Sequence, residues 1–310
     1  LHVSYIYANL LGNEAGRAIY DGDAMIASDG QMLVTGPRFS CRETHVSSAV
    51  IDVGRTRMSR EQLDSYPAEV VDDPGSCLSV AFEFVESAPE ATETAELPAW
   101  EDSPAIKGEE FTRAVALGLL DYLRKSKSHG FVVSLSGGAD SATVAVLVAM
   151  MVRLTCREIG IAGLAEKLAY LPGAENLTDE QQWIRRLLAC VYQATRNSSE
   201  TTRSAAESVA TALGAEFFAF DVDRLVEGYV DTVSTAIGRK LNWEDDDLAL
   251  QNIQARVRAP GVWLLANLRN ALLLATSNRS EAAVGYTTMD GDTCGGISPI
   301  AGIDKALPAC

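Results

Sequence analysis

The chain has 310 residues, enough for about two domains, and its 47% hydrophobic content is that of a globular protein rather than a disordered one. With 26 basic against 42 acidic residues the formal charge is −16, which excludes a basic nucleic-acid surface. No apolar run reaches the roughly 20 residues of a membrane span, and the opening residues form no basic, apolar signal, so no membrane partner is expected.

Leu1 rather than Met opens the chain in mid-pattern, as in a fragment. Residues 1–60 read as strands and turns, with Asp29-Gly30 suited to a type I′ hairpin between "AGRAIYDGDAMIAS" and "QMLVTGPRF". An acidic stretch follows, with prolines at 74, 89, 98 and 104, and 86–104 reads as a linker. Cys41, Cys77, Cys156, Cys190, Cys294 and Cys310 form no CxxC pair, so reduced thiols of a cytoplasmic protein are expected rather than zinc or a redox motif. His2, His45 and His129 form no cluster and receive no role.

From about residue 105 the texture changes. "GEEFTRAVALGLLDYLRKSK" has helical spacing, "GFVVSLS" is a short apolar run suited to a buried parallel strand, and "DSATVAVLVAMMVRLTC" reads as a helix. "ACVYQAT" predicts a second strand, with a helix in "SETTRSAAESVATALGA". "EFFAFDV" predicts a third, followed by the helix "DRLVEGYVDTVSTAIG". "DLALQNIQARVRAPGVWLLANLRN" is mostly helical, with Pro260 expected to interrupt it, and "ALLLATSN" is a fourth strand. Strands alternating with helices imply an α/β fold with a doubly wound parallel sheet, whose ligands sit at the carboxyl ends of its strands.

One loop stands at such an end. Ser134, Leu135, Ser136, Gly137, Gly138, Ala139, Asp140 and Ser141 link the first parallel strand to its helix. The glycines permit backbone shapes closed to other residues, successive N–H groups can form an anion nest, and the helix start adds a positive dipole end. Asp140 in the first helical turn suits both that dipole and a Mg²⁺ ion beside phosphates. The Walker A lysine is absent, so γ-phosphate chemistry is not the expectation.

SGGxDS after a strand resembles the pyrophosphate loop of the ATP pyrophosphatase superfamily, whose members attack the α-phosphate of ATP and release pyrophosphate. "NIQARVR" (252–258), "TSNRSEAAVGYTTMDGD" (276–292) and "PIAGIDK" ending at Lys305 resemble NAD synthetases more narrowly. "YANLLGNEAGRAIYDGDAMIASDGQMLVTGPRFS" is similar to the C-terminal part of the nitrilase-like glutaminase domain of glutamine-dependent members. The resemblance implies three segments: 1–85 as that partial nitrilase-like α/β sandwich, 86–104 as a linker, and 105–310 as a C-terminally truncated synthetase domain. It implies a ligase that amidates nicotinic acid adenine dinucleotide to NAD, with ATP and Mg²⁺ as cofactors. Ammonia from glutamine would be the nitrogen source, within a cytoplasmic homo-oligomer.

Residue by residue, the resemblance implies that loop 134–141, Thr276 and Lys305 hold the ATP phosphates. Asp140 and Glu281 would share Mg²⁺. Asn252 and Arg256 would bind the dinucleotide, with Tyr286, Thr287, Thr288 and Met289 near its nicotinate end. Blander readings stand beside these: Glu281 as a helix-start carboxylate, Arg256 and Arg258 as a solvated helix face, Lys305 as a surface lysine. "NSSETTR" (197–203) reads equally as a helix cap or an adenylate contact. "DGDTCGG" faintly suggests a calcium loop but lacks the spaced ligands and closing Glu. The glutaminase Glu, Lys and Cys match no residue of this chain, Cys41 lying in the wrong place, so glutamine hydrolysis by this polypeptide alone is not expected. Another adenylate-forming amidotransferase or a non-catalytic nucleotide-binding fragment are the alternatives.

Overall fold

"FVVS" becomes strand β6 (Phe131–Ser134), with its first three residues fully buried, in a computed structural model that describes residues 2–14, 16–62, 80–82, 98–285 and 289–305. Among the described residues, those up to 11 and from 20 to 104 group into one compact unit. Residues 12–19 and those from 105 onward group into a second.

In the first unit, β1 (Ser4–Ala8), β4 (Ala24–Ser28) and β5 (Gln31–Thr35) form an antiparallel sheet in the order β1-β4-β5. β2 (Leu11–Glu14) pairs separately with β3 (Ala18–Asp21). The β4–β5 turn is the expected Asp29-Gly30, with positive φ at both residues (48° and 79°), as a type I′ turn requires. Helix α1 (Val53–Glu61) starts at Asp52, whose carboxylate accepts the Arg55 N–H. Of the stretch read as linker, 86–97 lies outside the described residues, but 98–104 is folded. A 3₁₀ turn (Ala99–Asp102) buries Trp100, and Glu101 accepts two hydrogen bonds from Arg38, whose guanidinium also stacks on the Trp100 ring.

The second unit holds the parallel sheet: β6, β7 (Leu188–Ala194), β8 (Glu216–Asp221) and β9 (Leu272–Leu274), in the order β8-β7-β6-β9. The chain runs outward from β6 to β7 to β8, then returns to β9 on the other side of β6. The winding therefore reverses between β6 and β9, which is where such sheets leave a crevice for ligands. Val132, Ala189, Val191 and Leu273 pack on one face of the sheet against Val262 and Ala266. Those two lie on α8 (Arg258–Leu268). Strand alternation turns Phe131, Val133 and Cys190 to the opposite face, where α3 (Ala139–Lys167) brings the buried Val144, Val148 and Val152.

The remaining helices are α2 (Ile106–Ser126), α4 (Glu180–Leu187), α5 (Glu200–Leu213), α6 (Asp223–Ile237), α7 (Asp247–Arg256) and α9 (Arg279–Val284). No helix is expected from the sequence at α4, an eight-residue element whose apolar face buries Trp183, Ile184 and Leu187. The helix expected at α3 also ends too early. The helical stretch continues to Lys167, with Gly160 at φ 74° marking the kink where two helices meet. The interruption expected at Pro260 falls at Val257, which caps α7 and opens α8. Pro260 sits in the first turn of α8, where an N–H has no intrahelical partner to lose. Cys41, Cys156, Cys190 and Cys294 carry no disulfide. No described helix is long and apolar enough to cross a membrane.

Candidate active site

The loop after β6 is held by its own side chains. The Ser141 hydroxyl accepts the Ser136 N–H at 3.1 Å and lies 3.1 Å from the Ser136 hydroxyl, while Ser136 Oγ accepts the Gly138 N–H at 3.3 Å. Gly137 has φ 84°, and a Cβ there would stand 2.5 Å from the Thr202 carbonyl oxygen of α5. Only glycine combines that dihedral with that approach. Asp140 lies in the first turn of α3, with Gly138 as N-cap.

The loop after β9 arrives from the other side of the reversal point. Asn278 caps α9: its side chain accepts the Glu281 N–H at 3.0 Å, and Glu281 returns toward the Asn278 N–H, completing a capping box. Glu281 is thus a helix-start carboxylate whose second oxygen meets Lys305. The Lys305 ammonium lies 3.1 Å from Asp140 and 3.1 Å from Glu281. These hydrogen bonds, Asp140's first, raise the lysine above its ordinary range. Asp140 Oδ1 is buried without a partner among the described residues. Two carboxylates from different strand ends therefore converge on one cationic point, with an acceptor to spare. That geometry fits Mg²⁺, which binds through one or two carboxylates plus phosphates and water. No group of three or more acidic, His or Cys ligands occurs among the described residues.

Beside this point opens a cavity of about 340 Å³. Ser134, Leu135 and Ser136 line it from the β6 side, Thr276 from the β9 side, and Ala259 and Val262 from α8. Residues 197–203 serve in two ways. Ser199 accepts the Thr202 N–H and caps α5, while Asn197, Ser198, Ser199 and Thr202 all line the cavity.

Among the lining residues not predicted as site residues are Tyr192 and Gln193, near the end of β7, and Arg258 and Asp292 in the cavity wall. The Asp292 side chain reaches solvent, yet partial burial raises its carboxyl, helped by Glu281 and Asp140 and opposed by Arg258 and Lys305. Burial lowers Arg258, offset in part by Asp292. A polar pair at the end of an otherwise apolar strand was the available signal for Gln193. For Asp292 the signal was "DGD", set aside with the calcium reading.

The substrate residues expected from the motif "NIQARVR" are placed differently. Asn252 is half-buried on α7 and Arg256 is exposed, its Nε donating to the Met289 carbonyl at 3.2 Å. Neither lines the cavity; Ala255, Arg258, Ala259 and Val262 do so from α7 and α8. Met289 is exposed, and Tyr286, Thr287 and Thr288 lie outside the described residues.

Comparison with known proteins agrees with this geometry. The chain is 31% identical to the bovine glutamine-dependent NAD(+) synthetase across 97% of its own length and 45% of that protein's. It is equally similar to the putative fission yeast (Schizosaccharomyces pombe) synthetase, at 31%. The crystal structure of the Cytophaga hutchinsonii glutamine-dependent NAD(+) synthetase superposes with a TM-score of 0.76 at 40% identity, over 98% of this chain and 45% of that one. The Acinetobacter baumannii enzyme, solved with ADP, shares the fold at 20% identity and a TM-score of 0.63. The chain thus spans about half the length of the relatives it matches. The NAD synthase family model matches residues 111–307, from α2 through both strand-end loops to Lys305, and on that match the chain belongs to the NAD synthase family.

Proposed function

We propose that the second unit performs ATP-dependent amidation of nicotinic acid adenine dinucleotide to NAD, releasing AMP and pyrophosphate. One observation carries this reading: Asp140 and Glu281 converge on a single cationic point beside the glycine loop. The backbone N–H groups around Gly137 and Gly138 cradle the triphosphate, with the Ser136 and Ser141 hydroxyls beside them. Asp140 and Glu281 hold Mg²⁺, which offsets charge on the phosphates when bound. Lys305, exposed on a long side chain, supplies the charge that the loop lacks and steadies the leaving pyrophosphate. Thr276 adds a donor from the β9 side.

The substrate carboxylate attacks the α-phosphorus and pyrophosphate leaves. Ammonia then attacks the acyl carbon, loses a proton and displaces AMP. Arg258 faces the cavity from a half-buried position and is the cation best placed for an anionic group of the dinucleotide. Asn252, Arg256 and segment 286–289 would act at its periphery. Apolar walls from Leu135, Ala259 and Val262 keep water from the acyl-adenylate.

The first unit would be the C-terminal part of a nitrilase-like glutaminase that supplies ammonia, ahead of the synthetase domain at 105–310. The resemblance supports a cytoplasmic homo-oligomer for the parent protein. The test is to mix the chain with nicotinic acid adenine dinucleotide, ATP, Mg²⁺ and ammonium. NAD and AMP should appear in equal amounts. ADP and phosphate in place of AMP and pyrophosphate would overturn the reading, and ATP binding without turnover would favour a nucleotide-binding fragment.

A further inference from the structure

Lys305 stands between the two carboxylates that the proposed function gives to Mg²⁺. Its ammonium lies 3.1 Å from Asp140 Oδ2 and 3.1 Å from Glu281 Oε1. Both carboxylate side chains are only 16% exposed, whereas that of the lysine is 58% exposed. The main chain around Lys305 is strapped to the start of α9. The Arg279 N–H donates to the Ile303 carbonyl at 2.9 Å, the Lys305 N–H donates to the Ser280 hydroxyl at 3.1 Å, and the Arg279 guanidinium donates two hydrogen bonds to Asp304. The anchored part of Lys305 is therefore its backbone, while most of its side chain stays in solvent.

One position cannot serve two cations. Mg²⁺ binds carboxylate oxygens at about 2.0–2.1 Å, so an ion on these two oxygens would lie within about 5 Å of the ammonium and be repelled by it. The lysine has somewhere else to go. Its flexible four-carbon stem carries a compact charge with three donors. Asp140 lies in the first turn of α3, whose N-terminus, with Gly137 and Gly138, is the phosphate nest of the proposed ATP site. A phosphate chain there offers the ammonium a second set of anionic partners next to the first.

We propose that Lys305 is an exchangeable internal cation. It holds Asp140 and Glu281 together before nucleotide binds, and the arriving phosphates draw it off so that the divalent ion takes its place. Lys305 therefore opposes metal binding in the absence of nucleotide and stops opposing it once nucleotide is bound, which couples the two ligands. This rests on the reading of Asp140 and Glu281 as metal ligands.

The test is Mn²⁺ affinity, read by electron paramagnetic resonance with and without ATP, for the unaltered chain, Lys305→Met and Lys305→Arg. Without ATP, Lys305→Met should bind Mn²⁺ about 10- to 100-fold more tightly than the unaltered chain. Lys305→Arg keeps a cation on the same anchor and should show no such increase. In about 1 M salt, where exposed charges are screened beyond about 3 Å, the increase should persist, because the ammonium touches the carboxylates. With saturating ATP it should disappear or reverse, because the phosphates have already taken the lysine. Equal Mn²⁺ affinity of Lys305→Met and the unaltered chain without ATP would overturn the exchange. So would an increase that vanishes in high salt, which reduces Lys305 to a distant charge, or one that survives saturating ATP. Mn²⁺ affinity indifferent to Asp140→Asn and Glu281→Gln would instead overturn the metal reading beneath it.

Discussion

The loops after β6 and β9 reach the same point by different physics. The β6 loop is built from what glycine lacks: Gly137 presses its backbone against the Thr202 carbonyl, and the serines of the loop tie it to itself. The β9 loop is built from what side chains supply: Asn278 and Glu281 cap α9 reciprocally, and the same Glu281 faces Lys305. A glycine loop offers backbone donors to an anion, and a capping box aims a carboxylate. Under the proposed function, the two together would hold a phosphate chain and its cation, which neither would do alone.

The largest expected effect comes from removing the charge where the two loops meet. Asp140→Asn should lower NAD formation by about 10³-fold with circular dichroism unchanged; unchanged turnover would dissolve the link between the loops. Next is Gly137→Ala, which forces a Cβ toward backbone at φ 84°. It should cost about 1–3 kcal/mol in urea unfolding, because Thr202 cannot yield as a flexible side chain would. Asn278→Ala acts on the other loop and should cost about 1 kcal/mol, with a rise in the KM for ATP as Glu281 loses its anchor. A loss of stability with no change in that KM would show that the cap and the site are independent.

A smaller effect lies away from both loops, where Asp121 of α2 accepts the Asn13 N–H and pairs with Arg124 and Lys125. Burial alone would raise this carboxyl, but the two cations and the backbone donor outweigh it and hold it below the ordinary carboxylate range. A depressed folded value means that its contribution is present above the unfolded pKa of about 3.9 and fades as pH falls through the folded one. Acid unfolding below about pH 4 should therefore be shallower in Asp121→Asn than in the unaltered chain, followed by tryptophan fluorescence.

The sheet was legible because its strands are short apolar runs, and β6 and β7, buried on both faces, need no other pattern. The β6 loop was legible because its chemistry is local: strand, glycines and helix start follow one another within a dozen residues. Helix α4 was missed because it is only eight residues long and runs directly into β7 with no turn residue between them. Gln193, Arg258 and Asp292 were missed for a different reason. They are distant in sequence and meet only where the winding reverses, so spacing along the chain carries no trace of their proximity. On α7 and α8 the contrast between Arg256, which is exposed, and Arg258, which lines the cavity, depends on the break at Val257. The sequence points to a break at Pro260 instead, after both arginines, and so does not separate them.

The central claim is that Asp140 and Glu281 act on one cation although they belong to separate loops. A double-mutant cycle with Asp140→Asn and Glu281→Gln, read as Mn²⁺ affinity by electron paramagnetic resonance in the presence of ATP, tests it most directly. The expected result is strong coupling: each single change weakens Mn²⁺ binding substantially, and the second change adds far less than it does alone. Two additive effects, or Mn²⁺ affinity indifferent to either carboxylate, would contradict the claim.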